Sequence, residues 1–249
     1  MSKTRADLTI DGPRATITLK TDEGINVLSP PLMTQLGDLV AQVRDARGVR
    51  FLVLRGEGKV FAAGADIKHM AGFQPDDARQ YGALGQRVID ALESLPCVTV
   101  AALNGAALGG GCEVALGCDF RLAVKGARIG LPEVSLGLVP GWGGIPRLLR
   151  LIGPARAKRL FLSAEPVPAE VALTWGLVDE VVDGVEALGP AVEAFCKSFV
   201  KASPAANALA KRACADRDDI AAFADCFTKP DSKEGISAFL EKRKASWME

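Results

Sequence analysis

The chain opens with two runs in which apolar and polar residues alternate. Residues 7–10 and 14–20, the second centred on Ala15-Thr16-Ile17-Thr18-Leu19, flank Asp11-Gly12-Pro13, and this pattern predicts a β-hairpin. Ser29-Pro30-Pro31 then marks a helix start, with Leu32, Leu36, Leu39, Val40 and Val43 recurring on one face. Residues 50–55 form a short apolar strand ending in Gly56-Glu57-Gly58. From Pro75 to about Leu95 the spacing of Leu84, Val88, Ile89, Leu92 and Leu95 predicts a second helix. Residues 98–103 are apolar without alternation, which predicts a strand covered on both faces. A glycine-rich loop, a short helix over 112–116 and a strand over 120–124 complete the βαβ alternation of an α/β core.

From Gly143 onward the pattern turns helical. Residues 148–162, 168–175, 191–202, 205–215 and 234–246 read as helices, with only 178–182 strand-like between them. The expectation is one domain over residues 1–249: an α/β core to about residue 180, then a helical C-terminal region from about 185. With 249 residues, 49% of them hydrophobic, the chain has enough material for a sizeable core.

Charge and rare residues narrow the chemistry. Thirty basic residues balance thirty acidic ones, and no basic stripe stands out, so nucleic acid is not the expected partner. The single histidine, His69, excludes a His-rich metal site and makes any Ser-His-Asp triad depend on that one residue. The six cysteines include no C-x-x-C pair, and no signal peptide precedes them. They read as reduced, mostly buried thiols of a cytoplasmic protein. Residues 94–112 carry no charge, but Pro96, Asn104, Gly105 and Gly109-Gly110-Gly111 interrupt them. A buried strand running into a turn is expected there, not a membrane span.

Three glycine-containing loops stand out: residues 61–68 (FAAGADIK), 104–113 (NGAALGGGCE) and 140–144 (PGWGG). None matches a phosphate-loop or dinucleotide fingerprint. Three glycines opening a helix leave backbone N–H groups open to a ligand oxygen. They suit an oxyanion hole as well as a phosphate site, and on their own they read first as a tight turn where backbone packs on backbone. Two carboxylates shift that balance. Glu113 falls in the first turn of the helix that the glycines open, and Glu133 lies among Ile129, Leu131, Val134 and Leu136. Alone, the first reads as a dipole-complementing acid and the second as a surface acid. Together, beside glycine loops and without a usable histidine, they point to general acid/base chemistry by a glutamate pair.

At these residues the sequence resembles the crotonase (enoyl-CoA hydratase/isomerase) superfamily. Residues 61–70 (FAAGADIKHM), 104–118 (NGAALGGGCEVALGC) and 130–148 are similar to three of its active-site motifs. Residues 233–243 (KEGISAFLEKR) resemble its C-terminal signature. The likeness runs over about residues 5–247, with the motifs in order. It implies a crotonase-like spiral of repeated ββα units followed by C-terminal helices, assembled as a trimer or as a hexamer of two trimers.

The resemblance also implies roles. The amides of Ala65 and Gly110 would form an oxyanion hole for the thioester carbonyl of an acyl-CoA. Glu113 would handle the water and Glu133 the proton at C2, with the Gly141 amide helping to hold the water. Ala63 and residues 65–68 (Ala65, Asp66, Ile67, Lys68) would contact CoA. Trp142 would border the acyl pocket, and Lys242 would help to meet the CoA phosphates. No metal and no separate cofactor is implied, since CoA is part of the substrate.

Some positions depart from the family pattern. Asp22-Glu23-Gly24 is acidic where a basic residue is common, Trp142 replaces a residue that is often small, and Ile145-Pro146 stands where Thr-Gln is common. His69 reads as a residue of the rim. The implied activity is hydration of a 2-enoyl-CoA. A Δ3-Δ2-enoyl-CoA isomerase is the alternative, with hydrolase and decarboxylase branches behind it; retention of both glutamates favours hydration. An RNA-binding variant of the family is disfavoured, because residues 31–47 hold only Arg44 and Arg47 as basic residues.

Overall fold

The computed structural model describes residues 4–248; residues 1–3 and 249, the ends of the expected unit, lie outside the described residues. The predicted hairpin forms: β1 (Arg5–Asp11) pairs antiparallel with β2 (Arg14–Lys20), Asp11 opposite Arg14, and the two-residue turn carries Gly12 at φ +53. After it come α1 (Pro30–Asp45), β3 (Phe51–Gly56), β4 (Val60–Ala62), α2 (Ile67–Met70) and α3 (Pro75–Glu93). Then follow β5 (Val98–Leu103), β6 (Ala106–Leu108), α4 (Gly110–Leu116), β7 (Phe120–Val124), β8 (Arg128–Gly130) and a 3-10 turn, Glu133–Leu136. The C-terminal half contains α5 (Gly144–Leu162), β9 (Val167–Pro168), α6 (Ala169–Trp175), β10 (Glu180–Val182), α7 (Val185–Lys197), α8 (Pro204–Asp216), α9 (Asp219–Cys226) and α10 (Pro230–Leu240).

The order of these elements is a spiral. Each turn lays one strand in a large sheet, one in a small sheet, and then a helix. β3, β4 and α3 make one turn, β5, β6 and α4 the next, and β7 and β8 lead into the 3-10 turn and α5. The first turn has the same form, except that an isolated parallel bridge between Leu28 and Ala65 replaces its second strand. The large sheet runs β1-β2-β3-β5-β7-β10, parallel throughout after the opening hairpin. The small sheet runs β4-β6-β8-β9. This is the crotonase-like α/β architecture expected from the sequence.

Each parallel strand needs a crossover that covers the sheet, so the central strands are buried on both faces. All six residues of β5 are buried, and the lack of alternation in that segment follows from its place between β3 and β7. α1 buries Leu32, Met33, Leu36, Val40 and Val43, while α3 buries Val88, Ile89 and Leu92, the same stripes the spacing marks. Each such side chain contributes roughly 1.5–3 kcal/mol by leaving water.

Several boundaries differ from expectation. The small-sheet strands β4, β6, β8 and β9 are two or three residues long, too short to carry a period; β6 lies inside a segment read as a glycine loop and β4 runs into another. The helix expected over 148–162 begins at Gly144 and breaks at Gly153 (φ 75, ψ 164), where Pro154 cannot donate to the preceding turn. The helix expected over 191–202 is α7, which starts at Val185 and continues through Pro190. The helix expected over 234–246 ends at Leu240, before Lys242 at φ +55. α9 was not anticipated, although Asp218 caps its first turn by accepting from Ala221 N.

Candidate active site

The first wall of the site is the loop after β4. Asn26 fixes it: its Nδ2 donates to the carbonyls of Glu57, Val60 and Phe61 at 3.0, 3.2 and 3.1 Å, and its own carbonyl accepts from Ala63 N at 2.8 Å. Beyond it, Leu28 N donates to Gly64 O at 2.8 Å and Asp66 N donates to Leu28 O at 3.3 Å. This bridge engages the groups on either side of Ala65, so the amide of Ala65 itself stays out of the ladder.

The second wall is the start of α4. Gly109, at φ 52 and ψ −126, turns the chain sharply from β6 into the helix, and its N–H is bound to Gly130 O at 2.9 Å. Gly110 is therefore the first helical residue, and its N–H is one of the first-turn donors that have no partner within the helix. The two loops abut: a Cβ on Gly64 would sit 3.7 Å from Gly110 N and 3.1 Å from Leu108 O. Two amides on different elements, Ala65 and Gly110, thus border one cavity.

Glu113, one turn into α4, is 2% exposed. Its Oε1 accepts from the backbone N–H of Trp142 at 2.8 Å and of Gly144 at 2.9 Å, which anchors the carboxylate to the turn preceding α5. Burial pushes its pKa up to about 7, further raised by nearby Glu133 and restrained by the two amides and by Arg147. Glu133 opens the 3-10 turn. Its Oε1 lies 3.0 Å from where a Cβ on Gly109 would be, and its Oε2 is buried with no hydrogen-bond partner. Burial raises its pKa as well. An unpartnered carboxyl oxygen beside open amides is costly to keep unless something else binds there.

The cavity between these walls has a volume of about 680 Å³. Ala63, Ala65, Ile67, Gly110, Glu113, Glu133, Gly141 and Trp142, all singled out from the sequence, line it. Its far end is aromatic. Trp142 is 4% exposed and packs edge-on against Tyr81 at 5.3 Å, and Tyr81 in turn meets Phe73 at 5.7 Å. The Tyr81 hydroxyl donates to Leu28 O at 2.6 Å, which locks this wall to the first loop, and burial pushes its pKa up to about 12.

Three expected residues sit elsewhere. Asp66 caps α2, accepting from His69 N at 3.3 Å. Lys68 on α2 and Lys242 after α10 are outside the cavity lining. His69 is a rim residue that packs against Phe73 and Tyr81. Among the described residues no group of His, Cys, Asp and Glu is arranged to hold a metal ion, and no helix is long and apolar enough to cross a membrane.

Sequence reasoning missed Asn26, Tyr81 and Arg147, and it placed Gly144 in a glycine loop without a role. Gly144 had a signal as the last residue of the third glycine loop, and in the fold a Cβ there would meet Glu113 Cγ at 2.8 Å. Arg147 had none, because its partners Asp90 and Glu93 lie more than fifty residues away in sequence.

Comparison with known proteins agrees with this geometry. Residues 13–249 match the family described as enoyl-CoA hydratase/isomerase. A crotonyl-CoA hydratase of Syntrophomonas wolfei is 40% identical, with 94% of each chain covered. A short-chain-enoyl-CoA hydratase of Clostridium acetobutylicum is 38% identical over the same share of both chains. The crystal structure of an enoyl-CoA hydratase from Bacillus anthracis superposes with a TM-score of 0.90 at 33% identity, covering 98% of this chain and all of that one. With two carboxylates and two free amides meeting in one cavity, and with this likeness along its length, the chain belongs to the enoyl-CoA hydratase/isomerase family.

Proposed function

We propose that the protein is a 2-enoyl-CoA hydratase of short acyl chains, adding water across the C2–C3 double bond of the thioester to give a 3-hydroxyacyl-CoA. The observation that carries this reading is the meeting of Glu113, Glu133 and the amides of Ala65 and Gly110 around one cavity. A single acid would serve a proton shift; the addition of water needs both a base and an acid.

The steps follow from the charge that must move. The thioester oxygen accepts from the N–H groups of Ala65 and Gly110. Glu113, fixed through Oε1, leaves its other oxygen to take a proton from water held with the help of the Gly141 amide. The water oxygen bonds to C3 as the C2–C3 π pair moves through C2 to the thioester oxygen, giving an enolate. Two preorganised donors stabilise that charge by about 3–4 kcal/mol each. Glu133, whose buried Oε2 has no hydrogen-bond partner in the protein, gives its proton to C2 as the enolate collapses. One proton passing from Glu113 to Glu133 resets the pair. A carboxylate with a pKa near 7 is matched to the base role, and an unpartnered one to the acid role. The scheme calls on no metal and no cofactor beyond the CoA of the substrate.

The loop of Ala63, Ala65, Asp66, Ile67 and Lys68 is assigned to CoA, with Lys68 and Lys242 meeting its phosphates. Trp142 borders the acyl end, and the relatives named for crotonyl and short-chain substrates support a short acyl group. The chain acts as one domain in the cytoplasm. It assembles as a homotrimer or as a hexamer of two trimers, a reading supported by exposed apolar side chains on α9, at its C-cap and on α10, among them Phe223, Phe227, Phe239 and Leu240.

The test is loss of enoyl-thioester absorbance over a panel of 2-enoyl-CoAs, run with Glu113→Gln and Glu133→Gln beside the wild type. Hydration that falls at least about 10²-fold in each variant is expected. Full turnover in either would overturn the two-glutamate scheme. Turnover of 3-enoyl-CoA without hydration would assign the isomerase reaction instead.

A further inference from the structure

Arg147 is 7% exposed, yet it carries a full positive charge. A buried guanidinium persists only where its donors are used, and here all three nitrogens are engaged. Nε and Nη2 reach Glu93 Oε2 at 3.0 and 2.5 Å, and Nη2 also reaches Asp90 Oδ1 at 2.6 Å, both carboxylates on α3. Nη1 turns the other way and donates to the carbonyls of Gly143 at 3.2 Å and Trp142 at 3.4 Å.

These carbonyls belong to the turn that grips Glu113. Gly143 O and Gly144 N lie on one peptide unit, so Arg147 holds one end of that unit while its other end donates to Glu113 Oε1 at 2.9 Å. Gly143 must be glycine for this to happen: its φ is +91, and a Cβ there would lie 2.3 Å from Nη1. A planar peptide between a cation and a carboxylate is polarised by both, which strengthens the amide as a donor.

We propose that Arg147 is a positioning residue for the hydration reaction, its guanidinium fork fixing the Gly143–Gly144 peptide so that the amide stays aimed at Glu113. This rests on the hydratase reading above. The ionisable groups facing Glu113 are Glu133 on the 3-10 turn, Cys112 beside it on α4 and Arg147 on α5, and those facing Arg147 are Asp90 and Glu93 on α3. Of the groups around Glu113, Arg147 is the one that favours its ionised form by charge.

The experiment compares Arg147→Met and Arg147→Lys with the wild type. It measures kcat and KM for crotonyl-CoA against pH, the thermal midpoint, and the titration of Glu113 by ¹³C NMR of carboxyl-labelled glutamate, assigned with Glu113→Gln. Arg147→Met is expected to lower kcat about tenfold or more while KM stays within about threefold. The acid limb of the rate profile and the Glu113 titration should move together to higher pH, by about half a unit or more. Arg147→Lys keeps the charge without the fork and should fall between; it carries the same readouts if the methionine variant does not fold. A lower thermal midpoint with unchanged kcat and Glu113 titration would reduce Arg147 to a structural anchor and overturn the proposal, as would wild-type behaviour in Arg147→Lys. A wild type that hydrates nothing would sink the hydratase reading alone, since the NMR titration still reports on the relay.

Discussion

Trp142 serves the site from both of its ends: its backbone N–H donates to Glu113 Oε1 at 2.8 Å, while its indole fills the space that a Cβ on Gly110 or Gly85 would need, 2.3 Å away in each case. One residue therefore holds the Glu113 carboxylate and walls the cavity beside Gly110, which in the proposed mechanism are the base and an oxyanion donor. The backbone role survives replacement of the side chain, so the two functions can be separated by mutation.

Trp142→Ala is accordingly expected to retain hydration of a four-carbon enoyl-CoA within about tenfold and to raise kcat/KM for longer chains by about tenfold, since a methylene in a newly opened pocket is worth roughly 1–3 kcal/mol. The large-to-small change should also cost about 3–5 kcal/mol of stability. Rates over a series of chain lengths, with urea melts alongside, check both. An unchanged length preference would remove Trp142 from the acyl wall.

The raised pKa of Glu113 makes stability depend on pH. Between its ordinary value of 4.5 and about 7, the unfolded chain releases this proton while the folded chain keeps it. The folded state binds more protons across that window, so stability falls as pH rises through it, and above about pH 7 the full cost, on the order of 3 kcal/mol, is present. Glu113→Gln has no such proton, and its carbonyl oxygen can still accept from Trp142 and Gly144. The variant should melt higher than the wild type at pH 8, with the advantage gone by about pH 4. Equal midpoints at both pH values would mean that Glu113 is not destabilised in its ionised form.

The long elements were legible because their periods exceed the reach of chance: the stripe of α1, the stripe of α3 and the unbroken apolar run of β5 all appear where the spacing puts them. The small sheet was not, since β4 and β6 hold three residues each and their pairing partners come from different turns of the spiral. The kink at Gly153-Pro154 is written in the sequence, but the apolar spacing continues on either side of it and reads as one helix. Within the site, residues in glycine loops could be found from local chemistry. Asn26 and Arg147 could not, because each acts on backbone carbonyls whose proximity only the folded chain creates.

The rate profile of the wild type follows from the two carboxyls. The proposed mechanism requires Glu113 ionised and Glu133 protonated. kcat/KM should therefore rise with pH toward about 7 as Glu113 loses its proton. Glu133→Gln should remove most of the rate while leaving the rising limb in place. A profile flat from pH 5 to about 9 would exclude a base with the pKa of Glu113.

Gly110 offers the sharpest check on the packing. It lies at the start of α4 with an ordinary helical backbone, so alanine there brings no conformational strain; the obstacle is the Trp142 ring, 2.3 Å from the added carbon at Cζ3. The indole cannot retreat toward α3, because Gly85 already sits against its other side. Gly110→Ala should thus displace the ring or the oxyanion amide, lowering stability by about 1–3 kcal/mol and cutting kcat. Leucine at position 142 removes the obstacle while keeping the backbone N–H on Glu113. The double variant Gly110→Ala/Trp142→Leu should recover stability relative to the sum of the single changes, a coupling of at least about 1 kcal/mol in urea melts. Simple additivity would show that the indole does not pack on Gly110, and the acyl wall would have to be drawn elsewhere.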